Sequence, residues 1–352
     1  MTDAGDVRGA AERIRQAISG QRFNVAGQRV GVTISIGAAI GTGHSTAASL
    51  LSEADTALYA AKASGRNRWE IADEALRLEA VRRLHMTTQI RDGLDNGEFH
   101  AWLQPIIDLR SGAIIGYEAL ARWVSGSGEV KPAAEFIEIA ESSGLIRGVG
   151  SAVIREAIAA IPGLPNGQTV SINASPAQLS APNFAAEISG WLEVSNASPT
   201  QLVIEITEQG LLDLDGSSRK GLLQLRADGV GIHIDDFGTG FSSLSTLRDY
   251  PITGIKLDRT FTAQLPAPPE SLVFGIIAGI SDLAGRLNLD QIAEGVETAE
   301  QARTLQAMGW TSAQGWLYGP AQPPAHYPPI PRKAPDSSTS HILRRRKTDK
   351  PL

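Results

Sequence analysis

Apolar and polar residues alternate with a period of two at eight places between residues 98 and 317, and helically spaced apolar residues fill most of the intervals. The alternation predicts strands over 98–104, 113–120, 168–174, 201–207, 229–235, 252–257, 289–293 and 312–317. Val230, Ile232 and Ile234 show it most plainly. That strand ends on Asp235-Asp236 and runs into Phe237-Gly238-Thr239-Gly240, a turn with two glycines free to take positive φ. Eight strands, alternating with helices over about 250 residues, predict an α/β fold of the (β/α)8, TIM-like kind. An open doubly wound sheet is the alternative, but it needs a Gly-rich turn such as G-x-G-x-x-G opening a helix, and the chain has none.

Upstream of the barrel the pattern is a smaller α/β piece. Ile14, Ala17 and Ile18 mark one face of a helix over 7–19, and Val30, Val32, Ile34 and Ile36 predict a strand ending at Gly37. A second helix starts at about Thr46, carries Leu50, Leu51, Ala54, Leu58 and Ala61, and stops near Gly65. Residues 71–95, with Ala75, Leu78, Leu84 and Ile90 among Glu and Arg, predict a linker helix. Past Pro320 the character changes. Seven prolines fall between 320 and 335, then Asp336-Ser-Ser-Thr-Ser, then Arg344-Arg-Arg-Lys347, a composition that predicts a disordered tail over 329–352. The expected layout is an N-terminal piece over 1–70, the linker helix over 71–95, a barrel over 80–328 and the tail.

Composition narrows the chemistry. With 42% hydrophobic and 20% charged residues the 352-residue chain can bury a proper core. A formal net charge of −6 argues against a nucleic-acid polymer as partner. The absence of cysteine excludes disulfides, a thiolate nucleophile and any cysteine-based zinc site. The longest apolar run, Leu272 to Ile280, has nine residues, too few to cross a bilayer, so no transmembrane segment is expected. Asp3 and Asp6 stand where a signal peptide would be basic, and a cytoplasmic protein is the expectation.

The ends of the strands carry the chemistry. In order they give Gln104; Glu118 with Arg122; Asn173; Glu205 with Glu208; Asp235-Asp236; Lys256 with Asp258; Glu294 with Glu297; and Gln314. In a (β/α)8 barrel the C-terminal ends of the strands meet at one mouth. Several carboxylates brought together there are costly without bound cations. All-oxygen ligands point to Mg2+ or Mn2+ rather than zinc.

Two resemblances attach to these residues. Thr33-Ile-Ser-Ile-Gly, Ala54-Asp-Thr-Ala-Leu-Tyr-Ala-Ala-Lys and Gly65-Arg-Asn-Arg resemble the final third of a GGDEF (diguanylate cyclase) domain without its Gly-Gly-Asp-Glu-Phe signature, which implies a remnant unable to make a cyclic dinucleotide. Glu118-Ala-Leu120, with Gln104-Pro-Ile, Ser171-Ile-Asn173-Ala-Ser175, Glu205-Ile-Thr-Glu208, Asp235-Asp-Phe-Gly-Thr-Gly, Ile255-Lys256-Leu-Asp258, Ala293-Glu294-Gly-Val-Glu297 and Gln314-Gly, resembles the EAL family of cyclic-di-GMP phosphodiesterases.

The EAL resemblance implies a role for each residue. Glu118, Asn173, Glu205 and Asp235 would hold one divalent ion, and Asp235 would bridge to a second that Asp236 and Glu294 help bind. Lys256 would orient the attacking water between the two ions, and Glu294 is the candidate general base. Gln104, the Leu120 backbone, Arg122, Asp258 and Gln314 would face substrate. Glu208 would support the Phe237–Gly240 loop, and Glu297 the loop after strand 289–293. The implied reaction opens one phosphodiester of cyclic di-GMP to linear pGpG. The alternative is a receptor or scaffold that binds the nucleotide or reports on it without turnover. The resemblance also implies a homodimer through the helix from Ser242 to Arg248. Three departures stand out: the family usually has Leu at Ala121 and at Ala174, and a basic residue before a proline near Tyr318-Gly319-Pro320-Ala321.

Overall fold

The computed structural model describes residues 4–25, 27–41, 45–165, 167–239 and 244–324. The predicted tail over 329–352, Gly240, and Ser242 of the proposed dimer helix lie outside them. The chain divides into two units at Asp92/Gly93, inside the helix that joins them.

In the first unit, helix α1 (Ala4–Ser19) is followed by strands β1 (Arg22–Val25), β2 (Gln28–Gly31) and β3 (Ile36–Ala39), helix α2 (Ala47–Ala63) and strand β4 (Trp69–Ala72). Thr46 caps α2 in a reciprocal box with Ser49, and Gly65 follows its end at φ +103°. The single strand expected over 30–36 is two strands. β2 pairs antiparallel with β1 and β3 pairs parallel with β4, so the chain must leave one partner before it reaches the other. The linker helix α3 begins at Glu74 and ends at Asn96, because 71–72 belong to β4. Helix α2 lies directly on the backbone of β3: a Cβ on Gly37 would stand 2.1 Å from the Ala54 carbonyl oxygen, so this close approach requires glycine.

The second unit is a closed barrel. Strands β5 (Phe99–Asp108), β6 (Ile114–Val124), β8 (Thr169–Asn173), β9 (Leu202–Thr207), β10 (Gly231–Phe237), β11 (Gly254–Leu257), β12 (Asp290–Ala293) and β13 (Ser312–Ala313) form the ring, with β7 (Val130–Pro132) paired outside on β6. All eight expected strands are present. The ring is not wholly parallel, because β5 runs antiparallel to both its neighbours, β6 and β13. The connection from Asp108 to Ile114 is far too short for a helical crossover, which leaves an antiparallel hairpin as the available geometry.

Helices α4 (Ile137–Ser142), α5 (Ile146–Ala160), α6 (Pro176–Leu179), α7 (Phe184–Ser195), α8 (Glu208–Leu212), α9 (Gly216–Ala227), α10 (Leu244–Asp249), α11 (Arg259–Thr262), α12 (Leu272–Arg286) and α13 (Ala299–Ala307) connect the remaining strands. Along each strand one set of alternate positions is aliphatic and buried: Val170 and Ile172; Leu202, Ile204 and Ile206; Ile232 and Ile234; Ile255 and Leu257. The other set carries Ser171 and Asn173, Glu205, Asp235 and Lys256, and Glu294 follows directly after β12. Pleating alone therefore sends the polar residues of separate strands to one interior.

Candidate active site

Lys256 is the centre of that interior and is fully buried. Its Nζ lies 2.6 Å from Glu205 Oε2, 2.6 Å from Glu294 Oε1, 3.3 Å from Glu118 Oε2 and 3.4 Å from Asp235 Oδ1. Carboxylates from β6, β9, β10 and the position just after β12 are thereby drawn to one ammonium on β11. Asn173 Nδ2 donates to Glu118 Oε1 at 2.7 Å, and Gln314 Nε2 donates to Glu118 Oε2.

Asp235 and Asp236 are adjacent on one strand, where pleating should point them apart. Two features bring both to the mouth. The β10–β11 register breaks between Ile234 and Phe237, and Asp236 adopts φ +54°, a left-handed conformation that Asp tolerates better than most residues. The Asp236 N–H donates to Asp235 Oδ1 at 3.0 Å. As a result Asp235, Asp236 and Glu294 each offer an oxygen within 4.8 Å of the others, the spacing one ion needs. Among the described residues, Glu118, Glu205 and Asp235 form no such triad and instead share Lys256.

Burial and mutual repulsion sort the acids. Burial pushes Glu294 up to about 8, with Asp235 and Glu118 adding to it against the opposing Lys256. Burial and the charges of Asp235 and Asp258 push Asp236 up to about 6. Glu118 and Glu205 share one ammonium yet move in opposite directions. Burial raises both, but Lys256 and the two amide donors hold Glu118 below the usual range, whereas Glu205 faces Glu118 and Asp235 and is driven well up. The same carboxylates raise Lys256 well above its ordinary value despite its burial.

The donor set fits a divalent cation. It is all oxygen, and Glu205 Oε1 and Gln314 Oε1 are buried without a hydrogen-bond partner. Buried acceptors seldom remain unpaired in native proteins, so Glu205 Oε1 suits a hard cation.

The remaining expected residues are placed as follows. Glu208 is buried at the start of α8, and its Oε2 accepts from the Gly238 N–H at 3.4 Å, within the loop it was expected to support. Asp258 caps α11 by accepting from the Thr260 N–H at 2.9 Å, and its carboxylate meets Asp236. Gln104 donates to the Gly319 carbonyl at 3.2 Å. Arg122 lies over the Trp102 ring, 5.7 Å from its centroid, and donates to the Ala121 carbonyl. Leu120 is half-buried one strand position beyond Ala119. Glu297 is exposed, and the loop after β12 is tied instead by Gln301, whose Oε1 accepts from the N–H groups of Glu297 and Thr298 and whose Nε2 donates to the Thr262 carbonyl.

Gln301 is not among the expected site residues, and neither is Gln178, whose Oε1 accepts from the Ser175 N–H and hydroxyl beside Asn173. Both had a signal. Thr298-Ala-Glu-Gln301 and Ser175-Pro-Ala-Gln178 are capping boxes.

A cavity of about 290 Å3 opens beside Asn173 and Glu205, walled by Leu120, Ala121, Ala174, Val149 and Val153. Two of the three departures from the EAL pattern, Ala121 and Ala174, thus line the same space.

The family model described as "EAL domain" matches residues 87–321 of this chain. The chain belongs to the EAL family. Residues 1–68 match the model described as "Diguanylate cyclase, GGDEF domain". Cyclic di-GMP phosphodiesterase RocR of Pseudomonas aeruginosa is 36% identical over 250 residues, which cover 70% of this chain and 63% of RocR. The bifunctional diguanylate cyclase/cyclic di-GMP phosphodiesterase MucR of the same organism is 32% identical over 91% of this chain and 47% of its own length. The solved complex of the PaMucR phosphodiesterase with c-di-GMP superposes with a TM-score of 0.63 at 32% identity, covering 68% of this chain and 98% of that one. This EAL chain spans between 34% and 63% of the length of the first curated relatives it matches. None of its helices, among the described residues, is long and apolar enough to cross a membrane.

Proposed function

We propose that this EAL barrel hydrolyses one phosphodiester of cyclic di-GMP to linear pGpG with two bound divalent ions, Mg2+ or Mn2+. The observation that carries the reading is the convergence of Glu118, Glu205, Asp235 and Glu294 on Lys256 with Asp236 turned into the same mouth. Glu118, Asn173, Glu205 and Asp235 would hold one ion, and Asp235, Asp236 and Glu294 the other. When bound, the ions lower the pKa of water and stabilise the attacking and leaving oxygens of an in-line displacement.

The chain's own groups do the rest. Lys256 holds the carboxylates in register and can donate to a water among them. Glu294 carries a carboxylate that accepts the proton of that water. Arg122 presents a planar guanidinium at the edge of the mouth, suited to a phosphate, with Gln104, the Leu120 backbone, Asp258 and Gln314 completing the substrate face. Glu208 keeps the Phe237–Thr239 turn in place. Residues 1–70 are read as a GGDEF remnant that makes no cyclic dinucleotide, and 71–95 as the linker to a barrel over 80–328. A homodimer and a cytoplasmic location belong to the same reading.

The test is conversion of cyclic di-GMP by the purified chain in Mg2+, Mn2+ and Ca2+ in turn, with products separated chromatographically. Formation of pGpG in Mg2+ or Mn2+ is expected. Tight binding of intact nucleotide with no product replaces the enzyme with a receptor, and neither binding nor turnover leaves a scaffold.

A further inference from the structure

Arg122 has no counter-ion among the described residues. In the β5–β6 register Gln104 faces Glu118, Trp102 faces Leu120 and His100 faces Arg122. Residues directly opposite in an antiparallel pair, and every second residue along each strand, share one face. Trp102, Leu120 and Arg122 therefore continue, toward the rim, the face that carries Glu118 to Lys256. The Arg122 guanidinium folds back over the half-buried Trp102 ring, its Cζ 5.7 Å from the centroid. Nη1 donates to the Ala121 carbonyl at 2.8 Å, and among the described residues the guanidinium makes no other hydrogen bond. Burial lowers its pKa from the ordinary arginine value, although the charge of Glu118 opposes, so the cation is partly stripped of water. A carboxylate partner would neutralise it and occupy its N–H donors. An indole ring does neither, because it holds the plane from one side and leaves Nε and Nη2 open.

We infer that Trp102 is a positioning residue: its ring fixes the Arg122 guanidinium in one plane, with the Nε–Nη2 edge presented to a phosphate in the mouth. The substrate, a cyclic dinucleotide, comes from the phosphodiesterase reading, on which the inference rests; the stacked pair does not depend on it. Without the ring the long arginine side chain spreads over many rotamers and loses part of its two-pronged match to a phosphate. In this role Trp102 touches no reacting atom. It acts through Arg122, and that dependence is what the experiment reads.

The experiment is a double-mutant cycle on the full chain with cyclic di-GMP and Mg2+, using Trp102→Leu, Arg122→Ala and the two together. In Trp102→Leu kcat/KM should fall by about tenfold, the size expected for stacking of a desolvated cation on indole. The loss should lie in KM with kcat within about twofold, and Trp102→Phe, which keeps a ring, should recover most of it. In the Arg122→Ala background Trp102→Leu should change kcat/KM by less than about twofold. An equal loss in that background, or none in the wild-type one, overturns the inference. If the nucleotide binds without turnover, Kd takes the place of kcat/KM in the same cycle. A second arm uses no nucleotide. Ring current should shift the Arg122 side-chain protons of the wild type upfield, and Trp102→Leu should return them to ordinary positions. Unshifted protons in the wild type overturn the inference, and this signal decides should Trp102→Leu fail to fold. Shifted protons in a chain that neither binds nor turns over cyclic di-GMP sink the phosphodiesterase reading and not the pair.

Discussion

The barrel and the N-terminal unit are built from the same alternation of strand and helix, yet they treat their surfaces in opposite ways. Eight barrel strands close on themselves and leave no free edge in the ring, so their aliphatic positions are covered. Ile172, Ile204, Ile206, Ile232 and Ile234 are each at most 1% exposed. The N-terminal unit has two separate two-stranded sheets. Every residue of β2 is exposed, Val30 at 41%, Val25 of β1 is 58% exposed, and among the described residues the buried apolar ones of α1, α2 and β4 are alanines: Ala11, Ala57, Ala61 and Ala72. Two-stranded sheets are marginal alone, and small side chains bury little area. Closure lets the barrel concentrate like charges in its mouth, whereas the N-terminal unit depends on α1 and α2 packed against the two-stranded β3–β4 sheet.

The comparison breaks most visibly at the cage. Glu118→Ala removes one of the four carboxylates around Lys256 and the acceptor of both Asn173 and Gln314. Turnover of cyclic di-GMP should fall by about a thousandfold or more, a loss of ~4 kcal/mol of transition-state stabilisation. The melting temperature should hold within a few degrees, because removing one of several mutually repelling acids offsets the lost hydrogen bonds. Undiminished hydrolysis by a folded Glu118→Ala protein would refute the cage.

The second blow falls on the other unit. A side chain on Gly37 meets the Ala54 carbonyl at 2.1 Å and the Leu58 nitrogen at 2.2 Å, both backbone atoms that cannot rotate away. Gly37→Val should destabilise the α2–β3 packing by about 2–3 kcal/mol. Hydrogen exchange should show faster labelling confined to residues 4–72, with turnover changed by less than about twofold. A matching loss of turnover would show that the two units stand or fall together.

Much of this contrast can be read along the chain, and what cannot has physical reasons. The barrel strands are legible because Val230-Ile232-Ile234 and its counterparts alternate cleanly, and the site because Asn173, Asp235, Glu294 and Gln314 fall at or just past the ends of their strands, with Glu118 and Gln104 within theirs. The direction of β5 is invisible to periodicity, though the few residues between Asp108 and Ile114 forbid a crossover. The turning-in of Asp236 depends on a register break and a positive φ, which no pattern of side-chain types encodes. The pair β1–β2 carries no periodic signal, because Arg22-Phe-Asn-Val25 is too short and too polar to register as a strand. The centring of Lys256 among four acids is a three-dimensional fact. The sequence places it on a strand tip like the others.

The smallest effect tests whether the barrel is as well filled as its closed ring suggests. Ala121 and Ala174 face one cavity of about 290 Å3, at positions where EAL proteins usually carry leucine. Each Ala→Leu change adds three carbons, and buried carbons are worth ~0.8 kcal/mol apiece when they fit. Imperfect fit costs about 1–3 kcal/mol, so most of the gain is lost again. A net stabilisation of ~1 kcal/mol is expected for Ala121→Leu combined with Ala174→Leu, raising the melting temperature by about 2–4 °C for a unit of this size. The same space touches Asn173 and Glu205, so KM for cyclic di-GMP measured alongside shows whether the room matters to the site. A lowered melting temperature would mean that α5 already closes on this space in solution, and the barrel would then be the more completely packed of the two units.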